Sequence, residues 1–139
     1  MRVAIVFIAQ KYRDKLLAIS QGLQKGIEGL GHKVDIIDGS RDVNTKLSIY
    51  EYICVGSEST SIIGGKIPAK VSEYLGQAGM VAGKRSFAFL VRKGFSREKA
   101  MRRLMKAMEG EGMYLKFSYE LASPEEAEII GSRLNISRG

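Results

Sequence analysis

The tightest constraint on this chain is a strand-like run with no polar alternation, Arg2 to Ile8, followed at once by a stripe of helical period. Val3, Ile5, Val6, Phe7 and Ile8 make the run dense in β-branched and aromatic residues, which predicts a strand buried on both faces, as parallel sheets require. From Tyr12 onward, Leu16, Ile19, Leu23, Ile27 and Leu30 recur every three or four residues, giving a helix one apolar stripe to lay on that sheet, until Gly29, Gly31 and His32 end it. Gly22 and Gly26 stand four apart inside the helix, a poor choice for propensity unless its backbone approaches the sheet closely.

The same alternation continues. "KVDIID" predicts a second strand, "GSRDVNTKLS" at most one helical turn, and "YEYICVGSEST" a third buried strand running into a polar loop. "IPAKVSEYLGQAG" opens with Pro68 near a first-turn position and ends in glycine, as a helix does. "RSFAFLV" is a fourth strand. Ser96 stands as cap to a helix with Met101, Leu104, Met105 and Met108 on its apolar stripe and Arg102, Arg103 and Lys106 elsewhere. "MYLKFSYEL" alternates as an edge strand with one wetter face does, and "SPEEAEIIGSRL" carries Ser123, Pro124 and Glu126 in capping-box spacing before a last helix. Without repeats or linkers, 139 residues at 45% apolar content predict one domain, 1–139, with a mostly parallel sheet and helices on both faces.

Ligands of such sheets bind beyond the carboxyl ends of the strands, where strand order reverses. Three loops are expected there: Gln10 to Arg13, Gly56 to Gly65, and Arg92 to Ser96. His32 belongs to the opposite end, which suits a turn residue and not a catalyst. Cys54, the only cysteine, lies in the apolar run "YICV" as a small core residue, and its isolation excludes an internal disulfide and any Cys-based zinc site. No apolar run approaches a membrane span, so a cytoplasmic protein without membrane association is expected.

Charge is concentrated. Of 22 cations and 15 anions, seven and one fall between Arg92 and Lys106, leaving 15 and 14 elsewhere. The chain is nearly neutral with one basic face.

Five strands, a short connection after the second, "YICVGSEST" closing the third and "GKRSFAFL" leading the fourth resemble the flavodoxin family over nearly the whole chain. The resemblance implies a flavodoxin-like three-layer sandwich, a single domain whose five-stranded parallel sheet has the order 2-1-3-4-5. It also implies FMN as cofactor. Gly56, Ser57, Glu58, Ser59 and Thr60 match the loop that touches the isoalloxazine ring in that family, with Glu58 where the family often has proline. The third loop, Arg92, Lys93, Gly94 and Phe95, keeps one glycine of the corresponding family segment, and Phe95 and Tyr12 are the aromatic candidates for a ring platform.

The phosphate loop is degenerate. Flavodoxins wrap the FMN phosphate with hydroxyls, a glycine and backbone amides at a helix N-terminus. Here Gln10, Lys11, Tyr12 and Arg13 supply no glycine, serine or threonine, in a loop about one residue shorter. Lys11 and Arg13 either neutralise a phosphate as point charges or are solvated loop residues. Response-regulator receivers share the topology but need acidic residues where this chain has Ala9, Gln10, Val55 and Gly56, so that reading is excluded. Two readings follow. One is an FMN-binding redox or electron-transfer protein, at most a flavin-dependent oxidoreductase, in which the protein positions the flavin and tunes its potential. The other is a flavin-free binding module whose basic fourth helix, after the fourth strand, docks an acidic redox or regulatory protein, with nucleic acid ranked below.

Overall fold

The computed structural model describes residues 1–42, 44–60, 65–91 and 97–137, the side chain of Arg97 excepted. Strands and helices alternate as β1 (Arg2–Phe7), α1 (Arg13–Glu28), β2 (Lys33–Asp38), β3 (Tyr52–Ser57), α2 (Lys70–Gln77), β4 (Arg85–Val91), α3 (Arg97–Gly110), β5 (Tyr114–Leu121) and α4 (Pro124–Gly131). The sheet has the order β2-β1-β3-β4-β5, every neighbouring pair parallel, as the resemblance implied. Among the described residues, no helix is long and apolar enough to cross a membrane.

The absence of alternation in the central strands has the expected cause. Val3, Ile5 and Phe7 of β1 join Tyr52, Cys54, Phe87 and Phe89 on the face covered by α1 and α4. Ala4 and Val6, with Ile53, Val55, Ala88 and Leu90, build the other core beneath α2 and α3. A strand with one side chain up and the next down feeds both cores, so both sets must be apolar. Cys54 is fully buried, and burial holds its thiol pKa far above the ordinary value. β5 is one of the two edge strands. Tyr114 and Phe117 are exposed on it, and its pairing with β4 slips by one residue between Ser86 and Phe87.

Four details differ from the sequence reading. Leu16, Ile19, Leu23 and Ile27 are buried as predicted, but Leu30 lies beyond the Gly29 C-cap and is 43% exposed. Gly22 and Gly26 face α4, not the sheet: a Cβ on Gly22 would stand 2.2 Å from the Pro124 carbonyl oxygen, and one on Gly26 2.2 Å from that of Glu128. The two helices over one sheet face touch each other as well as the strands, and the small residues sit at that crossing. Pro68 precedes the Ala69 N-cap of α2 and does not occupy its first turn. Between β2 and β3 the described residues form turns, with the Asp42 carboxylate accepting from the Asn44 and Thr45 amides, so the basic helix is the third and not the fourth.

At α4 the Ser123 hydroxyl accepts from the Glu126 amide, with Pro124 leading the helix. The Glu126 carboxylate reaches back one residue further than the usual box, to the Ala122 amide at 2.8 Å.

Candidate functional site

β1 is flanked by β2 on one side and β3 on the other, so strand order reverses between β1 and β3. Phe7 is in register with Gly56, and the segments that follow β1 and β3, 8–12 and 58–60, leave the sheet side by side. Sheets of this kind bind ligands beyond the carboxyl ends of the strands at such a reversal.

One side chain bridges the two loops. The Glu58 carboxylate accepts three consecutive backbone amides of the first loop: Oε1 takes Gln10 at 2.9 Å, Lys11 at 3.1 Å and Tyr12 at 3.0 Å, while Oε2 lies 3.1 Å from the Lys11 nitrogen. Glu58 is 1% exposed. Successive N–H groups converging on one point make an anion-binding concavity, and its position just ahead of α1 adds the positive end of the helix dipole. The amide before them, Ala9, donates to the Ser40 hydroxyl at 2.7 Å. Four successive amides, Ala9 to Tyr12, therefore already donate to side-chain oxygens of the chain itself.

The remaining candidates divide. Gln10 and Lys11 project outward, the Lys11 ammonium lying 5.7 Å from the centre of the Tyr12 ring. Arg13 turns away from the cradle to Asp38 at the end of β2, with Nε to Oδ2 at 2.8 Å, and its guanidinium lies over Phe7. Ser57 is buried and donates its hydroxyl to the Ile8 carbonyl at 2.7 Å, cross-linking β3 to the end of β1. Thr60 donates its amide to the Lys66 carbonyl at 2.7 Å, and Ser59 and Thr60 are half-buried. Gly65 has a left-handed backbone (φ +65°) and packs against the first turn of α3, where a Cβ would stand 2.3 Å from that of Lys99. The second loop is thus pinned to the first by Glu58 and to α3 by Gly65. Arg92, Lys93, Gly94 and Phe95, together with Ser96, lie outside the described residues. His32 is remote, its Nδ1 3.2 Å from the Met1 amine at the other end of the sheet.

Sequence reading placed Glu58 in a ring-contacting loop; its contacts are with the amides of the first loop. Ser40 was missed, since nothing local marks it as the partner of a residue 31 positions earlier.

These residues do not fit the phosphate of FMN, the cofactor that the resemblance implied. The amides that would grip it have acceptors, no serine, threonine or glycine stands among Gln10 to Arg13, and an incoming phosphate would meet the Glu58 carboxylate.

No protein-family model matches the chain, and no curated protein matches its sequence. Solved structures do resemble it. A flavodoxin from the domain Archaea superposes with a TM-score of 0.70 at 17% identity, over 95% of this chain and 94% of that one. Flavodoxin 1 from Bacillus cereus gives a TM-score of 0.70 at 15% identity over 95% of each chain. Flavodoxin 2 from the same organism gives 0.65 at 19% identity, over 93% and 92%. Strand order, parallel pairing and these superpositions agree that the chain has the flavodoxin-like fold.

Proposed function

We propose that this chain, as one flavodoxin-like domain, is a binding module that docks an acidic protein partner through the solvent face of α3 and works without FMN held by its phosphate. The observation that carries the reading is the division of α3 into two faces. Ala100, Met101, Leu104 and Met108 are buried, whereas Lys99, Arg102, Arg103 and Lys106 are all exposed. The carboxylates of the helix, Glu98 and Glu109, stand near its two ends. None of the ion pairs among the described residues involves those four cations. A concentrated stripe of exposed cations raises encounter rates with an anionic surface. The closed amide cradle supports the flavin-free part.

A second reading, an FMN-dependent redox protein passing electrons to a protein partner, is favoured by the likeness to flavodoxins over most of the chain. A grip on the FMN phosphate by these amides requires Glu58 to leave the cradle. The absorbance spectrum of freshly purified protein, followed by titration with FMN, separates the two. A colourless protein that takes up no FMN is expected; flavin bands, or saturable FMN uptake, would establish the redox reading instead. Affinity capture with the wild-type chain and with an Arg102→Gln/Arg103→Gln variant tests the partner. Acidic proteins retained only by the wild type are expected, and selective retention of nucleic acid would replace that class of partner.

A further inference from the structure

We infer that Glu58 is a resident internal anion: its carboxylate fills the amide nest of Gln10, Lys11 and Tyr12, shuts it to phosphate groups, and clamps the loops after β1 and β3 to each other. Three lines of geometry meet on it. The first is the donor set. Three consecutive amides converge on Oε1 at 2.9 to 3.1 Å, the arrangement a backbone offers to an external anion, and the acceptor comes from a residue 46 to 48 positions later in the chain. Hydrogen bonds to an ionised acceptor are roughly twice as strong as neutral ones, so a weakly held ligand does not displace it.

The second is anchorage. Ser57 is held by its hydroxyl on the Ile8 carbonyl, and Thr60 by its amide on the Lys66 carbonyl, so the backbone on both sides of Glu58 is tied down. At 1% exposure the side chain is shielded from solvent. The third is the lack of a substitute. Ala9 already donates to Ser40, and Gln10 to Lys15 include no hydroxyl other than the Tyr12 phenol and no glycine. A phosphate would find no free amide from Ala9 to Tyr12, and a negative charge in its place.

The inference rests on the closed cradle that supports the flavin-free part of the proposed function. It is tested by titrating wild type, Glu58→Ala and Glu58→Gln with inorganic phosphate at constant ionic strength, following the backbone amide resonances of Gln10, Lys11 and Tyr12. In the wild type these resonances stay in place. In Glu58→Ala they shift saturably, and the melting temperature rises with phosphate. Glu58→Gln keeps the shape and one acceptor oxygen without the charge, so it binds phosphate more weakly than Glu58→Ala but still saturably. If Glu58→Ala does not fold, the glutamine variant decides alone. Wild-type amides that respond as readily as those of a variant, or a folded variant whose amides stay silent, would overturn the inference. Failure of the flavin-free reading looks different: a wild type that takes up FMN and riboflavin equally while these amides stay silent holds the flavin by its ring, with Glu58 still in the nest.

Discussion

Arg13 donates from Nε to Asp38 Oδ2 at 2.8 Å, tying the first turn of α1 to the last residue of β2. The Asp38 side chain is 15% exposed, and it also accepts the Ser40 amide on Oδ1 and has Arg41 3.7 Å away. Arg13 thus helps to shape the turn that carries Ser40 to the Ala9 amide. Replacing Arg13 with Ala leaves a largely buried carboxylate with only the more distant Arg41 beside it, and is expected to cost about 1–2 kcal/mol after allowance for the partial exposure of Arg13. Lys11→Ala removes an exposed ammonium stacked on Tyr12 and should stay within about 0.5 kcal/mol. Urea denaturation of the two variants checks this; equal losses would mean that the Asp38 pair has no structural role.

The crossing of α1 and α4 predicts a second asymmetry. Gly22→Ala and Gly26→Ala each push a methyl group into a backbone carbonyl of α4, so each should destabilise by about 1–3 kcal/mol. Gly76, in α2, has open space where a Cβ would go and a backbone that does not require glycine. Gly76→Ala should therefore be neutral or stabilise by about 0.5–1 kcal/mol. Thermal melts of the three variants test it, and a harmless Gly22→Ala would show that the two helices are free to separate.

For α3 the expectation concerns rates. Arg102→Gln/Arg103→Gln should leave the melting temperature nearly unchanged, since both side chains are exposed, while slowing association with an acidic partner and flattening its salt dependence. Stopped-flow or surface-binding kinetics at two ionic strengths suffice. An unchanged salt slope would leave the stripe as a solvated surface.

His32 gives a pH dependence. Its pKa is lowered below the ordinary 6.5, first by burial and then by the charged Met1 amine, against a smaller opposing pull from Glu51. The unfolded chain therefore binds this proton more readily than the folded one. Stability from this group is complete above about pH 6.5 and drains away as pH falls towards the folded value. Melting temperatures from pH 7.5 to 5.5 should decline, and His32→Gln should make the decline shallower. An identical slope in the variant would assign the acid sensitivity to other groups.

Local pattern carried most of the fold. Two-sided strands announce themselves as unbroken apolar runs in Val3 to Ile8 and Tyr52 to Val55, and α1 announces itself in a stripe that repeats every three or four residues. Ser123 capped α4 as its spacing implied, because a cap is settled within four residues. Leu30 was misplaced for the converse reason: periodicity ran on past a helix that Gly29 and the left-handed Gly31 had already ended.

The candidate site was less legible. The missing glycine and hydroxyls of the first loop are visible in the sequence, and so is a glutamate in the second loop. That one answers the other is not. The sequence by itself determined the alternation of strands and helices, the two-faced core and the basic stripe of α3, since each depends on spacings within one element. Only the tertiary structure decided what sits in the amide nest. Parallel pairing of β1 with β3, Phe7 opposite Gly56, brings residue 58 to residues 10–12, and a buried donor takes whichever acceptor the strand register delivers.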